Sequence, residues 1–389
     1  MKKIAVLGAG TMGSGIAQIA ATNGHTVTIY EMDKAIRVQA RDKLLKILNR
    51  LVEKGRLDDH QAKAIFGRIY FVDNLESLSD ADIVFEAIIE NLKIKGEVFK
   101  KLEGIVSADT ILATNTSSLS VSAISAFCDD PSRCVGAHFF NPPPLMKLVE
   151  IIPAKQSSDE TVRITRNLIE NWGKLTVMAK DTPGFIVNRV ARPFYGEALR
   201  IYEEGLASPL EIDTVMKTRA GFRMGPFELM DYIGHDVNYK VTETVWNAFY
   251  NDPRYKPSFA QKDLVSSGYL GRKSGQGFYT YINGKAQIAS VEVSAEKSDL
   301  IYSRILSMLV NEASDALYFG VASAEDIELA MTKGVNYPKG LLAWGNILGL
   351  EKVVSTLDGL NATYKEGRYR ASPLLRKMIE KGHKFLASS

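Results

Sequence analysis

Cysteine is scarce in this chain of 389 residues. Cys128 and Cys134 are the whole complement, enough for a single bridge at most and without the spacing of a zinc site. Such sparse usage suits a reducing compartment. There is no H-x-x-x-H, no C-x-x-C and no cluster of acids, so no metal is expected. Charge of one sign is never concentrated: Lys and Arg number 48, Asp and Glu 45, and the formal net charge is +3. A nucleic-acid or membrane partner is therefore not expected. Long apolar runs are missing too; Leu341 to Leu350 is about half of a membrane span. The start, Met1 to Leu7, runs straight into a strand-like segment with no signal-peptide pattern, which leads us to expect a cytoplasmic protein. What remains is a globular composition, 46% hydrophobic and 24% charged, long enough for two or three domains.

The first half alternates strands and helices. Ile4 to Leu7 is β-rich, Gly8-Ala9-Gly10-Thr11-Met12-Gly13 follows, and Ile16 to Ala21 has helical character. A second strand, Thr26 to Tyr30, ends at Glu31. Strand, G-x-G-x-x-G, helix, strand and acid stand in the order of a dinucleotide-binding unit. Gly8 makes the tight turn, Gly10 lets the backbone approach a pyrophosphate, and Gly13 allows close packing, with the helix N-terminus facing the phosphates. Glu31 would accept hydrogen bonds from the ribose hydroxyls and repel a 2′-phosphate, so NAD is expected rather than NADP. Further strands are expected at Ile69 to Val72, Asp82 to Ile88, Ile111 to Thr114, Cys134 to Phe140, Met146 to Ile152 and Leu175 to Ala179. The pattern predicts a doubly wound parallel sheet, with ligands beyond the strand C-termini. Glu90, Asn115, Ser117 and His138 would lie at that edge.

One stretch of this half carries a second chemical signal. In Gly136 to Glu150, an apolar run ending near His138 is followed by Pro142-Pro143-Pro144 and a second apolar run ending on Glu150. Proline stiffens the turn and disfavours helix in the residue before it. Pro144 is midway between His138 and Glu150, so runs folding back on each other would bring base and carboxylate together. The other reading is a strand–turn–strand with a surface His and Glu.

Pro183-Gly184 breaks the pattern, and from Phe185 helical periods dominate. The helical part looks duplicated. Glu197, Ser208, Asp213, Met216, Gly225 and Gly234 reappear as Glu312, Ser323, Glu328, Met331, Gly340 and Gly349, each displaced by 115 residues, as from Glu197 to Glu312. Two such copies are expected to pack on each other as an internal pseudo-dimer. The expected domains are 1–183 for NAD, 184–283 for the first helical copy, 284–297 for a polar linker, and 298–389 for the second copy.

The motifs Gly8 to Gly13, Asn115-Thr116-Ser117-Ser118-Leu119, His138-Phe139-Phe140-Asn141-Pro142, Lys147 to Glu150, Asp181 to Arg189 and Met224-Gly225-Pro226-Phe227-Glu228 resemble the L-3-hydroxyacyl-CoA dehydrogenase family. The likeness covers about the first 280 residues in order, and the remainder resembles the extra C-terminal copy of longer members. Asn336 to Gly345 looks most like members assigned to aromatic catabolism.

The resemblance implies a Rossmann-type domain followed by all-α domains, with the helical domain duplicated. It implies NAD-dependent, reversible oxidation of an (S)-3-hydroxyacyl-CoA to the 3-oxoacyl-CoA, as in fatty-acid β-oxidation. His138 would be the general base and Glu150 its orienting carboxylate; Ser117 and Asn188 would hydrogen-bond substrate oxygens. Gly8, Gly10, Thr11, Met12, Gly13, Glu31, Glu90, Lys95, Asn115, Ser117, Asn141 and Lys273 would bind the cofactor. Five of these residues have a plainer alternative: Ser117 a helix N-cap, Asn188 a helix-start residue, Lys95 a surface lysine, Asn141 a turn residue, Lys273 part of a flexible glycine-rich loop. His235 is given no role. A homo-oligomer is left open. Two rivals stand beside this function: a dehydrogenase of another β-hydroxy acid, and a non-catalytic, crystallin-like dinucleotide-binding protein.

Overall fold

The computed structural model describes residues 1–386; 387–389, the end of the expected second helical copy, lie outside them. The chain divides into two compact units, Met1–Thr182 and Pro183–Ser389.

The first unit is built on an eight-stranded sheet. Its elements run β1 (Lys3–Leu7), α1 (Thr11–Thr22), β2 (Thr26–Tyr30), α2 (Lys34–Glu53), α3 (Asp59–Gly67), β3 (Ile69–Val72), β4 (Ile83–Glu86), α4 (Leu92–Glu103), β5 (Ile111–Thr114), α5 (Val121–Ser125), β6 (Cys134–Phe139), β7 (Leu148–Pro153), α6 (Asp159–Asn171) and β8 (Leu175–Met178). The strand order is β3-β2-β1-β4-β5-β6-β7-β8. Central strands are buried on both faces because alternate residues enter two separate layers. Ile4 and Val6 pack with Ile16, Val27 and Phe85, whereas Ala5 and Leu7 pack with Val84, Phe99 and Leu112.

The sheet departs from the all-parallel expectation at one edge. β6 and β7 pair antiparallel, and β8 runs parallel to β7. The physical reason is the connection, which runs only from Phe140 to Lys147; a parallel crossover needs about a dozen residues or more. Helix α3 is a further addition, and Asp58 with Gln61 forms a capping box at its start. Cys128 and Cys134 are both buried, free and 3.7 Å apart at their sulfurs.

The second unit is helical: α7 (Val187–Val190), α8 (Arg192–Glu203), α9 (Pro209–Thr218), α10 (Pro226–Ile233), α11 (His235–Ala248), α12 (Phe259–Ser266), a short hairpin of β9 (Tyr281–Ile282) and β10 (Lys285–Ala286), then α13 (Ala295–Tyr318), α14 (Ala324–Leu329), α15 (Leu341–Leu348), α16 (Leu350–Tyr364) and α17 (Pro373–Lys381). The expected linker, 284–297, therefore includes regular structure, β10 and the start of α13. The hairpin occupies its beginning, and Ser294 caps α13 by accepting from the Lys297 amide.

Duplication is visible in hydrogen bonds. Asp213 accepts from the amides of Phe227 and Glu228 at 2.9 and 2.8 Å, and Glu328 accepts from those of Leu342 and Ala343 at 2.7 and 3.2 Å, all at the same displacement of sequence. A Cβ on Gly225 would fall 2.3 Å from Asp213, and one on Gly340 would fall 1.8 Å from Glu328. The two copies also exchange ion pairs: Arg189 Nε meets Glu312 at 2.6 Å and Arg304 Nε meets Glu197 at 3.0 Å. Arg189 and Arg304 are themselves equivalent positions. This reciprocity, i to j and j to i, is the pattern of a two-fold interface. Among the described residues, no helix is long and apolar enough to cross a membrane.

Candidate active site

The glycine turn after β1 has the shape a dinucleotide needs. Gly8 takes φ +93°. A Cβ on Gly13 would fall 1.9 Å from the Gly8 carbonyl oxygen, so only glycine lets α1 approach β1 so closely. A Cβ on Gly10, by contrast, would meet nothing within 4 Å. Gly10 caps α1 without any side-chain hydrogen bond. The first-turn amides of α1, at Thr11, Met12 and Gly13, thus have no side-chain cap, and a helix N-terminus of this kind favours an anion. Glu31, just past β2, accepts from the Ala9 amide at 3.2 Å, which brings its carboxylate to the same turn. These features fit NAD.

At the ends of β4 and β5 the site is held by a buried charge network. Lys95 is 1% exposed, which removes the surface-lysine alternative. Its ammonium meets Glu86 at 2.6 Å and Glu90 at 3.2 Å. Burial alone would raise the Glu90 carboxyl, but Lys95 and the Thr116 and Ser118 hydroxyls hold it below its ordinary range. Glu90 also accepts from the Ser117 amide at 3.1 Å, which ties the loop after β5 to the loop after β4. The N-cap alternative for Ser117 fails: α5 is capped by Ser120, whose hydroxyl accepts from the Ala123 amide. Asp181 supports the same helix start through the amides of Val121 and Ser122.

His138 and Glu150 are register partners across the antiparallel pair β6 and β7. Nδ1 of His138 lies 2.6 Å from Glu150, and both side chains are buried, which excludes the surface alternative for the pair. The Asn115 side chain accepts from the Phe139 amide at 2.8 Å, so β5 steadies the backbone beside the histidine. Asn141 is exposed at the head of the proline turn. Lys174 clamps that turn: its ammonium donates to the carbonyls of Pro143 and Met146 at 2.6 and 2.7 Å. Burial pushes the Lys174 amine down. A cavity of about 800 Å³ lies beside the turn, lined by Pro143 and by the cations Lys43, Arg50, Lys54, Arg56 and Lys174.

In the second unit, Asn188 lies in α7 and its carbonyl accepts from Arg192 Nε. Lys273 is ion-paired with Asp236 at 2.6 Å. Its loop is pinned, contrary to the flexible alternative, because Asp231 accepts from the amides of Phe278 and Tyr279 at 2.9 Å each. His235, expected to have no role, is fully buried and meets Asp231 at 2.6 Å.

Several of these residues carry weak sequence signals. Glu86 is an acid inside an apolar strand, which is a hint, since buried carboxylates are rarely unpaired. Asp231 and His235 have i,i+4 spacing, but nothing in the spacing says that both are buried. Lys174 offers no signal at all.

Comparison with known proteins agrees across the chain. A family model described as the NAD binding domain of 3-hydroxyacyl-CoA dehydrogenase matches residues 3–182, and the model of the C-terminal domain matches twice, at 184–281 and 300–388. The 3-hydroxyadipyl-CoA dehydrogenase of Escherichia coli is 36% identical over 98% of this chain and 99% of its own. A probable 3-hydroxybutyryl-CoA dehydrogenase of Bacillus subtilis is 43% identical over 72% of this chain and 98% of its own. Among solved structures, a 3-hydroxybutyryl-CoA dehydrogenase from Escherichia coli K12 superposes with a TM-score of 0.93 at 36% identity, covering 98% of this chain and 99% of that one.

Proposed function

The chain belongs to the 3-hydroxyacyl-CoA dehydrogenase family and is an NAD-dependent enzyme of that class, and from that premise we propose that His138 is its general base, with Glu150 as the orienting carboxylate. The observation that carries this reading is the 2.6 Å contact of His138 with Glu150, at the strand edge that also holds the glycine turn. Because Nδ1 is committed to Glu150, Nε2 takes the C3 hydroxyl proton of an (S)-3-hydroxyacyl-CoA. Glu150 fixes the ring tautomer and stabilises the imidazolium that forms. NAD held at the glycine turn and Glu31 would supply the acceptor for the hydride that leaves C3. Ser117 and Asn188 hydrogen-bond the substrate oxygens, favouring the developing carbonyl. Glu90, held by Lys95, together with Asn115, Asn141 and Lys273, serves the cofactor. The cations of the cavity beside the proline turn, Lys54 among them, supply the charge that the phosphates of coenzyme A need.

The test is an assay with NADH and either acetoacetyl-CoA or free acetoacetate. Acetoacetyl-CoA should consume NADH with equimolar formation of 3-hydroxybutyryl-CoA, and acetoacetate should not. Turnover of the free acid alone would favour the β-hydroxy-acid rival, and NADH binding without any turnover would favour the crystallin-like one.

Glu31 gives a second test. The Glu31→Ala enzyme should lose preference for NADH over NADPH by about ten-fold or more, the worth of a charge-assisted hydrogen bond. The measurement is the ratio of kcat/KM values for the two cofactors, and an unchanged ratio would remove Glu31 from the ribose site.

A further inference from the structure

Arg192 is the first residue of α8, one turn after Asn188, and it is 8% exposed. Its Nε donates to the Asn188 carbonyl at 2.9 Å and Nη1 donates to the Thr242 hydroxyl at 3.1 Å. The guanidinium carbon sits 4.9 Å from the centre of the Tyr195 ring. Among the described residues, no carboxylate pairs with it. That separates it from the other deeply buried arginines of the same unit: Arg189, Arg254, Arg304 and Arg368 each hold at least one carboxylate. Burial pushes the Arg192 guanidinium down, with Tyr195 and Tyr337 working the other way. A buried cation without a counter-charge is costly, and among the described residues only the Nε and Nη1 of Arg192 have an acceptor.

A second group in the same cluster has the same need. The Tyr337 hydroxyl is buried and has no hydrogen-bond partner among the described residues. Its ring packs against Phe194 and Phe222, at 5.6 and 4.9 Å between centres, and it interacts electrostatically with Arg192. Tyr337 arrives from the second helical copy, within the Asn336 to Gly345 segment. A guanidinium and a phenol, both short of an acceptor, call for the same ligand chemistry: a planar anion that takes a forked pair of N–H donors and one O–H donor.

We propose that Arg192, with Tyr337, binds the distal carboxylate of a dicarboxylic acyl chain, so that the preferred substrate is a 3-hydroxyacyl-CoA ending in a second carboxylate. The inference rests on the reading that Asn188 touches the substrate near C3. The Arg192 Nε lies 2.9 Å from the Asn188 carbonyl, so the guanidinium is within reach of a chain end a few carbon–carbon bonds beyond a C3 held at Asn188. Arg192 is then a specificity residue: it binds the chain end and takes no part in the proton transfer.

The experiment compares kcat/KM for 3-oxoadipyl-CoA and 3-oxohexanoyl-CoA with NADH, two chains of equal carbon count that differ in the terminal carboxylate. The wild-type enzyme should favour the adipyl chain by roughly ten-fold or more, from one charge-assisted contact. Arg192→Met should erase that preference, and Arg192→Lys, which keeps the charge and loses the fork, should leave part of it. A wild-type ratio of one or below overturns the proposal, whatever the variants do. So does a preference unchanged in either variant, which would make Arg192 only a strut between α7 and α11. No turnover of either chain while acetoacetyl-CoA is still reduced overturns this inference alone, as does turnover of both without preference, whereas no turnover of any of the three overturns the dehydrogenase reading and this inference with it.

Discussion

A His138→Gln enzyme is expected to bind NADH about as well as the wild type and to turn over about 10²–10⁴ times more slowly. Glutamine fills much of the same space and can still hydrogen-bond Glu150, so β6 and β7 keep their register. It cannot take or give a proton at the substrate oxygen. The glycine turn and Glu31 follow β1 and β2, away from the changed side chain, and Asn115 keeps its bond to the Phe139 amide, so NADH binding is expected to survive the change. Steady-state kcat with acetoacetyl-CoA, beside a fluorescence titration of NADH, separates the two effects. Turnover near the wild-type value would remove His138 from the acid–base role.

Glu312→Ala should destabilise the helical unit by about 3–5 kcal/mol, the usual cost of breaking one side of a buried ion pair. Glu312 is fully buried and accepts from Arg189, Arg254 and the Tyr255 hydroxyl at 2.6, 3.1 and 2.6 Å. Burial works against the Arg189 guanidinium, and Glu312, with Tyr255 and Asp315, more than offsets it. Arg254 would keep Asp315, but Arg189 would lose its carboxylate. The loss falls on the contact between the two copies, because Arg189 belongs to the first and Glu312 to the second. Urea unfolding followed by circular dichroism reads the effect. A shift below about 1 kcal/mol, the scale of an exposed pair, would mean that the exchanged ion pairs contribute little to holding the copies together.

Much of the fold and of the site is legible in the amino-acid sequence. The order of strand, glycine turn, helix, strand and acid identifies the dinucleotide half because each residue type has a steric or electrostatic reason to be where it is. The equal spacing of His138 and Glu150 about Pro144 anticipates their pairing across β6 and β7. The constant displacement between helical copies anticipates the matched helix caps at Asp213 and Glu328. The reversal of β7 and β8 does not show in the strand pattern, although the shortness of the proline loop already forbids a crossover. Lys95 reads as a surface lysine because its partners, Glu86 and Glu90, lie outside its own helix, and charge pairing between elements leaves no period in the sequence. The same holds for Lys174, whose acceptors are backbone carbonyls, and for Arg192, whose distinguishing feature is the carboxylate it lacks. Asp58 with Gln61 and Ser294 with Lys297 mark helix starts, but in polar stretches such pairs are too common to stand out.

The most direct test of the central claim, that His138 and Glu150 act as one unit, is a cycle of His138→Gln, Glu150→Gln and the double variant, read as kcat on acetoacetyl-CoA. If Glu150 works through the imidazole, each single change slows turnover and the double variant is about as slow as His138→Gln alone. If the two losses multiply in the double variant, Glu150 acts independently of His138 and the pairing is not how the base is made.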